Sequence, residues 1–113
     1  MFNTVAELPE YTKRAAQLLG KNEQEGIISH LAQEPTSGNL IQGTGGVRKL
    51  RWSRGCKGKS GGVRVIYYYY NEGFPLYLLN VYSKSEKDNL TKAERNELAK
   101  IAELIKKVFL NLL

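Results

Sequence analysis

The sequence predicts one α+β domain over residues 1–113: a small antiparallel sheet of three to four strands, with two helices before it and one after. Three observations carry that prediction. Apolar residues recur at helical spacing ahead of Pro35 and again after Thr91. Between Asn39 and Tyr82 the period shortens to two, with Gly, Asn and Pro clustered between the apolar runs. A chain of 113 residues, 42% of them hydrophobic, can bury one core and is too short for two ordinary domains; neither an internal repeat nor a low-complexity linker divides it.

At the N-terminus, Phe2 to Leu8 is ambiguous, and a short strand there would precede the helices. Pro9 suits a first helical turn, where its missing N–H is not needed, and Tyr11, Ala15, Leu18 and Leu19 make one apolar face before Gly20 stops the pattern. Asn22 with Glu25 three residues on resembles an N-terminal cap for a second helix, whose face is Ile27, Ile28 and Leu31 and whose end is Pro35.

The next three segments read as strands. Val47 to Trp52 alternates, so Lys49 and Arg51 share a solvent face while Leu50 and Trp52 point inward. Gly55 to Gly62 is a basic loop. Val63 to Tyr70 and Leu76 to Tyr82 are β-branched and aromatic, and Asn71 to Pro75 supplies the tight connection of an antiparallel hairpin. Thr91 with Glu94 fits a capping box, and Leu98, Ile101, Leu104, Ile105, Val108 and Leu112 trace a stripe that lays a helix from Lys92 to about Asn111 across one sheet face.

Charge is distributed unevenly. Seventeen Lys and Arg stand against eleven Asp and Glu, a formal net charge of +6, yet Pro35 to Asn71 contains no acid. Arg48, Lys49, Arg51, Arg54, Lys57, Lys59 and Arg64 fall within that stretch, followed by the run Tyr67 to Tyr70. Unopposed cations beside aromatic rings suit a polyanion whose bases can stack, which points to nucleic acid and to single-stranded RNA in particular. Alternation puts two of the four tyrosines on each face, so packing is the default for at least half of them.

Several chemistries are excluded. Neither an eighteen-residue apolar run nor a basic region followed by an apolar stretch at the N-terminus is present, so the expected location is cytoplasmic, with no membrane partner. One Cys56 cannot close an internal disulfide and reads as a reduced thiol, and one cysteine with one histidine cannot build a structural zinc site. Gly58-Lys59-Ser60 looks like the end of a P-loop, but Ser53 occupies the required upstream glycine position and a strand follows rather than a helix. His30, between Ile27 and Leu31 on a helix, reads as a partly buried structural residue. With no second histidine and no clustered acids, neither a paired-histidine nor a two-metal nuclease is expected, nor any cofactor. What remains for phosphodiester cleavage is attack by the RNA's own 2′-hydroxyl, which leaves a 2′,3′-cyclic phosphate and a 5′-hydroxyl. The protein must then supply a proton acceptor, a proton donor and stabilisation of charge on the phosphorus oxygens, roles that Lys, Arg and Tyr can fill.

Gly43-Thr44-Gly45-Gly46-Val47-Arg48-Lys49-Leu50-Arg51-Trp52, then Gly61-Gly62-Val63-Arg64-Val65-Ile66-Tyr67-Tyr68, then Leu78-Leu79-Asn80-Val81-Tyr82-Ser83-Lys84-Ser85-Glu86-Lys87 resemble the RelE superfamily of bacterial toxins, especially its HigB branch. The resemblance spans roughly residues 40–100. It implies the RelE-like fold, a ribosome-dependent mRNA interferase that needs no metal, a cognate antitoxin, and contact with operator DNA only through the toxin–antitoxin complex. Carried over by position, it makes Arg64 the holder of the scissile phosphate, Lys84 a stabiliser of the transition state where the family usually has arginine, and Lys49 a group for proton transfer or charge stabilisation. The family's catalytic tyrosine would fall near Leu90, which cannot do acid–base work, so that role is absent or moved, with Tyr82 the candidate to take it. Arg48, Arg51, Arg54, Lys57, Lys59 and Lys87 are then expected to contact RNA or the ribosome. Two other classes stay open: a ParE-like toxin, which shares the fold but inhibits DNA gyrase, and a non-catalytic RNA-binding module.

Overall fold

The structure, a computed structural model, describes residues 3–53, 62–87 and 89–112. Its elements run β1 (Val5–Glu7), α1 (Pro9–Leu18), α2 (Lys21–Gln33), β2 (Asn39–Leu40), β3 (Val47–Trp52), β4 (Val63–Tyr68), β5 (Leu76–Ser83) and α3 (Lys92–Leu112). One five-stranded sheet has the order β1-β5-β4-β3-β2. The α+β expectation holds, but three to four strands was an undercount and the sheet is mixed, because β1 pairs in parallel with β5. β1 lies within the ambiguous Phe2 to Leu8 segment that offered a short strand ahead of the helices, while β2, two residues long, is too short to register a period of two. β4 ends at Tyr68 rather than Tyr70 and β5 reaches Ser83.

The helices start where backbone donors can be satisfied. Pro9 opens α1 and Glu10 sits in its first turn, at the positive end of the helix dipole. Asn22 does not cap α2. The helix begins at Lys21, with Gly20 at the cap position and the Glu23 carboxylate accepting the Gly20 amide at 2.9 Å, so Asn22 already lies inside the first turn. On α3 the box is complete: Thr91 Oγ1 accepts the Glu94 amide at 3.1 Å while Glu94 Oε1 accepts the Thr91 amide at 2.8 Å.

Helices cover both faces of the sheet. Tyr11 and Ala15 of α1 with Ile27 and Leu31 of α2 pack on Leu50, Val63, Val65, Tyr67, Leu76, Leu78 and Val81. Leu98 and Ala102 of α3 pack on Val47, Ile66, Tyr68, Leu79 and Tyr82. β4 is therefore buried along its whole length, which is why it reads as a near-continuous apolar run, each large side chain contributing about 2 kcal/mol of burial. β5 alternates between the two cores across a bulge. Ile66 faces Asn80 while Tyr67 faces Leu78, so Leu79 is the extra residue and turns toward α3.

Leu104, Val108 and Leu112 of the expected stripe remain exposed. The face that packs is Leu98, Ala102 and Ile105, with Phe109 against Phe74 and Tyr77, and at about 100° per residue Leu104 and Val108 lie well round the helix from it. None of the described helices is long and apolar enough to cross a membrane.

Candidate nucleic-acid interface

β3, β4 and β5 place the cationic side chains of one face in a fixed grid. Arg51 lies directly opposite Arg64, and Arg64 directly opposite Tyr82; Lys49 faces Ile66 and so stands diagonally from Arg64. Like charges opposite one another across a ladder oppose folding, so the Arg51–Arg64 pair is a local violation that the fold tolerates. Arg64 is only 9% exposed, yet its side chain makes no hydrogen bond or ion pair with any described residue. Lys49 is half-buried and Arg51 exposed, and neither has an acidic partner among the described residues.

The strand that carries Tyr82 leads into a pinned turn. Arg14 of α1 donates through Nε to the Val81 carbonyl at 3.2 Å and grips the Glu86 carboxylate at 2.5 and 2.6 Å. Glu86 also accepts the Ser83 amide at 2.9 Å. With the Arg14 guanidinium foremost and this amide next, its carboxyl is held down at about pH 2. Lys84 rides on this turn, exposed, with its amide donating to the Gly62 carbonyl at 3.2 Å, at the same end of the sheet as Arg64.

Lys87 has a different place. Its ammonium pairs with Glu94 of the α3 cap and lies 5.4 Å from the centre of the Tyr82 ring. Lys87, ahead of the Thr91 amide, holds the Glu94 carboxyl below its usual range. Tyr82 is on the Arg64 face, but its ring belongs to the α3 core and its hydroxyl is buried. Arg48 points to the other face and donates to the carbonyls of Thr36 at 3.1 Å and Gly38 at 2.7 Å, tying down the chain ahead of β2. The structure thus brings together Lys49, Arg51 and Arg64 with Lys84 at their end, and turns Arg48 and Lys87 to internal contacts. Arg54, Lys57, Lys59 and Cys56, with the discarded Gly58-Lys59-Ser60 motif, lie outside the described residues.

The tyrosine run is mostly structural. Tyr67 is fully buried; its hydroxyl donates to the Pro35 carbonyl at 2.8 Å and accepts the Gly38 amide at 2.9 Å, and burial pushes it up from the usual tyrosine range. Tyr68 sits in the α3 core and Tyr69 against the opposite one. Only Tyr70 is exposed, edge-on to Phe74 with the Lys106 ammonium 4.9 Å from its ring centre. His30 is a packing residue, with Nε2 2.9 Å from Ser37 Oγ and its ring on Trp52.

Beside Lys49 a groove of about 590 Å³ opens between the Ile41–Gly43 segment and the first turns of α3. Thr44 fixes its rim, donating to the Ile41 carbonyl at 2.6 Å and accepting the Val47 amide at 3.1 Å, while Gly43, Gly45 and Gly46 take the positive φ angles this tight return needs. Leu90, where the family resemblance places a tyrosine, lines the groove with Gln42, Asn89, Lys92 and Asn96. Arg95 also lines it, with its guanidinium spent on the Leu90 carbonyl at 2.8 Å. These α3 residues were missed in the sequence because they read as the polar face of an amphipathic helix; the i, i+4 pair Lys92 and Asn96 was the available signal. Among the described residues no three His, Cys, Asp or Glu side chains gather as metal ligands.

Two comparisons bear on this arrangement. A mutant of the E. coli toxin RelE in the free state superimposes with a TM-score of 0.57 at 16% sequence identity, over 78% of this chain and 90% of that one, which establishes the fold. The family model for the RelE toxin of the RelE / RelB toxin-antitoxin system matches residues 28–112, from the middle of α2 to the end of α3. That span takes in β3, β4, β5 and the whole cationic face, and the chain belongs to the RelE family of toxin–antitoxin toxins.

Proposed function

We propose that this toxin is a ribosome-dependent mRNA endonuclease that arrests translation and is neutralised by a cognate antitoxin. The observation that carries the reading is Arg64: a guanidinium on the central strand, nine-tenths buried, with Arg51 opposite, Lys49 diagonal and no carboxylate from the described residues to balance them. A phosphodiester is the ligand that satisfies such a cluster. Its anionic oxygens match the planar donor fork of arginine, and a buried setting strengthens each contact.

Arg64 holds the scissile phosphate. The RNA 2′-hydroxyl then attacks phosphorus in line, the bond to the 5′-oxygen breaks, and the products are a 2′,3′-cyclic phosphate and a 5′-hydroxyl. Lys49, on the adjacent strand, moves a proton or offsets charge on the non-bridging oxygens, and Lys84 stabilises the transition state from the pinned turn. Tyr82 serves beneath this site as the ring that supports Lys87 and, through the Lys87–Glu94 pair, connects β5 to the α3 cap. Arg51 takes a neighbouring phosphate. Operator DNA would be reached only through the antitoxin complex.

Expression in cells followed by mapping of mRNA 5′ ends tests this reading. Cuts inside coding regions on stalled ribosomes are expected, with little cleavage of naked RNA by the purified protein. Growth arrest with intact messages and a DNA-damage response would move the chain to the gyrase-inhibiting class.

A further inference from the structure

We propose that the groove between Gln42 and the first turns of α3 is a base-reading subsite, which takes one nucleotide beside the scissile phosphate and selects it by its hydrogen-bonding edge. The inference rests on the endonuclease reading for its substrate, and on the groove itself for its chemistry. Three carboxamides, Gln42, Asn89 and Asn96, line the walls, and none makes a side-chain hydrogen bond to a described residue. Each carries both a donor and an acceptor, the combination that matches a base edge. Leu90 supplies an apolar surface for the flat face of a base.

Charge frames the same space. Lys49 stands on the sheet side and Lys92 on the helix side, so phosphates can be held on both sides of the enclosed base, and no acid among the described residues lines the groove. Glu94, on the same turn of α3, is occupied by Lys87 and the Thr91 amide. The volume of about 590 Å³ is within the range of small-molecule pockets, about 300–1,000 Å³, and accommodates a nucleotide. Lys49 is shared between this groove and the Arg64 cluster, so a base seated here has its phosphate at the proposed point of cleavage. A tyrosine at position 90 would fill part of this space; leucine leaves it open.

The test has two arms. In the first, ribosome-bound mRNA is cut by the wild-type protein and by Asn96→Ala, Gln42→Ala and Asn96→Asp variants, and the 5′ ends are mapped. Base preference at one position next to the cut is expected to fall by roughly tenfold in the alanine variants, and to change identity in Asn96→Asp, which keeps the shape but loses the donor. An unaltered base distribution in all three overturns the subsite. In the second arm, the side-chain amide resonances of Gln42 and Asn96 are followed by NMR while each of the four nucleoside 5′-monophosphates, or ribose 5-phosphate, is added without ribosomes. Shifts that depend on the base support the proposal, and a response identical to that of ribose 5-phosphate overturns it. Base-dependent shifts in a protein that leaves ribosomal mRNA intact sustain the subsite and sink the endonuclease reading instead.

Discussion

Replacing Arg64 by methionine should make the protein more stable and inactive at once. Arg64 and Arg51 are register partners on adjacent strands, and neither has an anionic partner among the described residues. Charges directly opposite one another across a ladder are worth roughly 0.2–1 kcal/mol, destabilising where the signs are alike. Arg51 is exposed but Arg64 is buried, which limits screening and favours the upper end of that range, about 1 kcal/mol. Methionine fills similar space, removes the repulsion and leaves no charge in a position that is 9% exposed. For a domain of this size about 1 kcal/mol corresponds to a rise in Tm of roughly 4 °C.

Thermal unfolding followed by circular dichroism reads the first effect. Salt dependence separates its cause: the wild-type Tm should rise as salt screens the two arginines, and Arg64→Met should respond less. Cleavage of ribosome-bound mRNA by the same variant should fall by at least about 100-fold, the usual cost of losing a donor to transition-state charge. A variant that unfolds at lower temperature than the wild type, with an unchanged salt response, would show that the guanidinium is a structural group and would remove the basis for assigning it to phosphate.

Three further outcomes follow from contacts elsewhere. Tyr67→Phe strands the buried Gly38 amide and Pro35 carbonyl and should cost about 1–3 kcal/mol in denaturant unfolding, with no change in toxicity beyond lower protein abundance. The depressed Glu86 carboxyl contributes stability that is fully present above the ordinary value of 4.5 and lost as pH falls through about 2, so the acid limb of a stability profile between about pH 5 and 2 should flatten in Glu86→Gln. Thr91→Ala removes the α3 cap and should cost about 1 kcal/mol, visible as faster amide exchange in the first turn of the helix before any change in the sheet.

Much of the fold could be read from residue order because its main signals are local. The period of two in Val47 to Trp52 put Lys49 and Arg51 on the face opposite Leu50 and Trp52, and the Thr91–Glu94 box marked the start of α3; both depend on neighbours a few residues apart. β1 falls inside the ambiguous Phe2 to Leu8 segment, where its parallel pairing with the distant β5 could not be read, and β2 is only two residues long, too short to carry a local signal. The cap of α2 was misplaced by two residues because Glu23, rather than Glu25, reaches back to the helix start.

By itself the sequence determined that positive charge is concentrated in an acid-free segment interleaved with strands, since composition and alternation need no third dimension. Tertiary structure decided which of those charges stay together. Strand register set Arg51 against Arg64 and placed Lys49 on the diagonal, while folding turned Arg48 to backbone carbonyls and Lys87 to Glu94. It also brought Asn96, from far along the chain, to one groove with Gln42 and Lys49. The physical reason is that a cation's role depends on whether a carboxylate, a carbonyl or only solvent lies within reach, and packing brings those groups from distant parts of the chain.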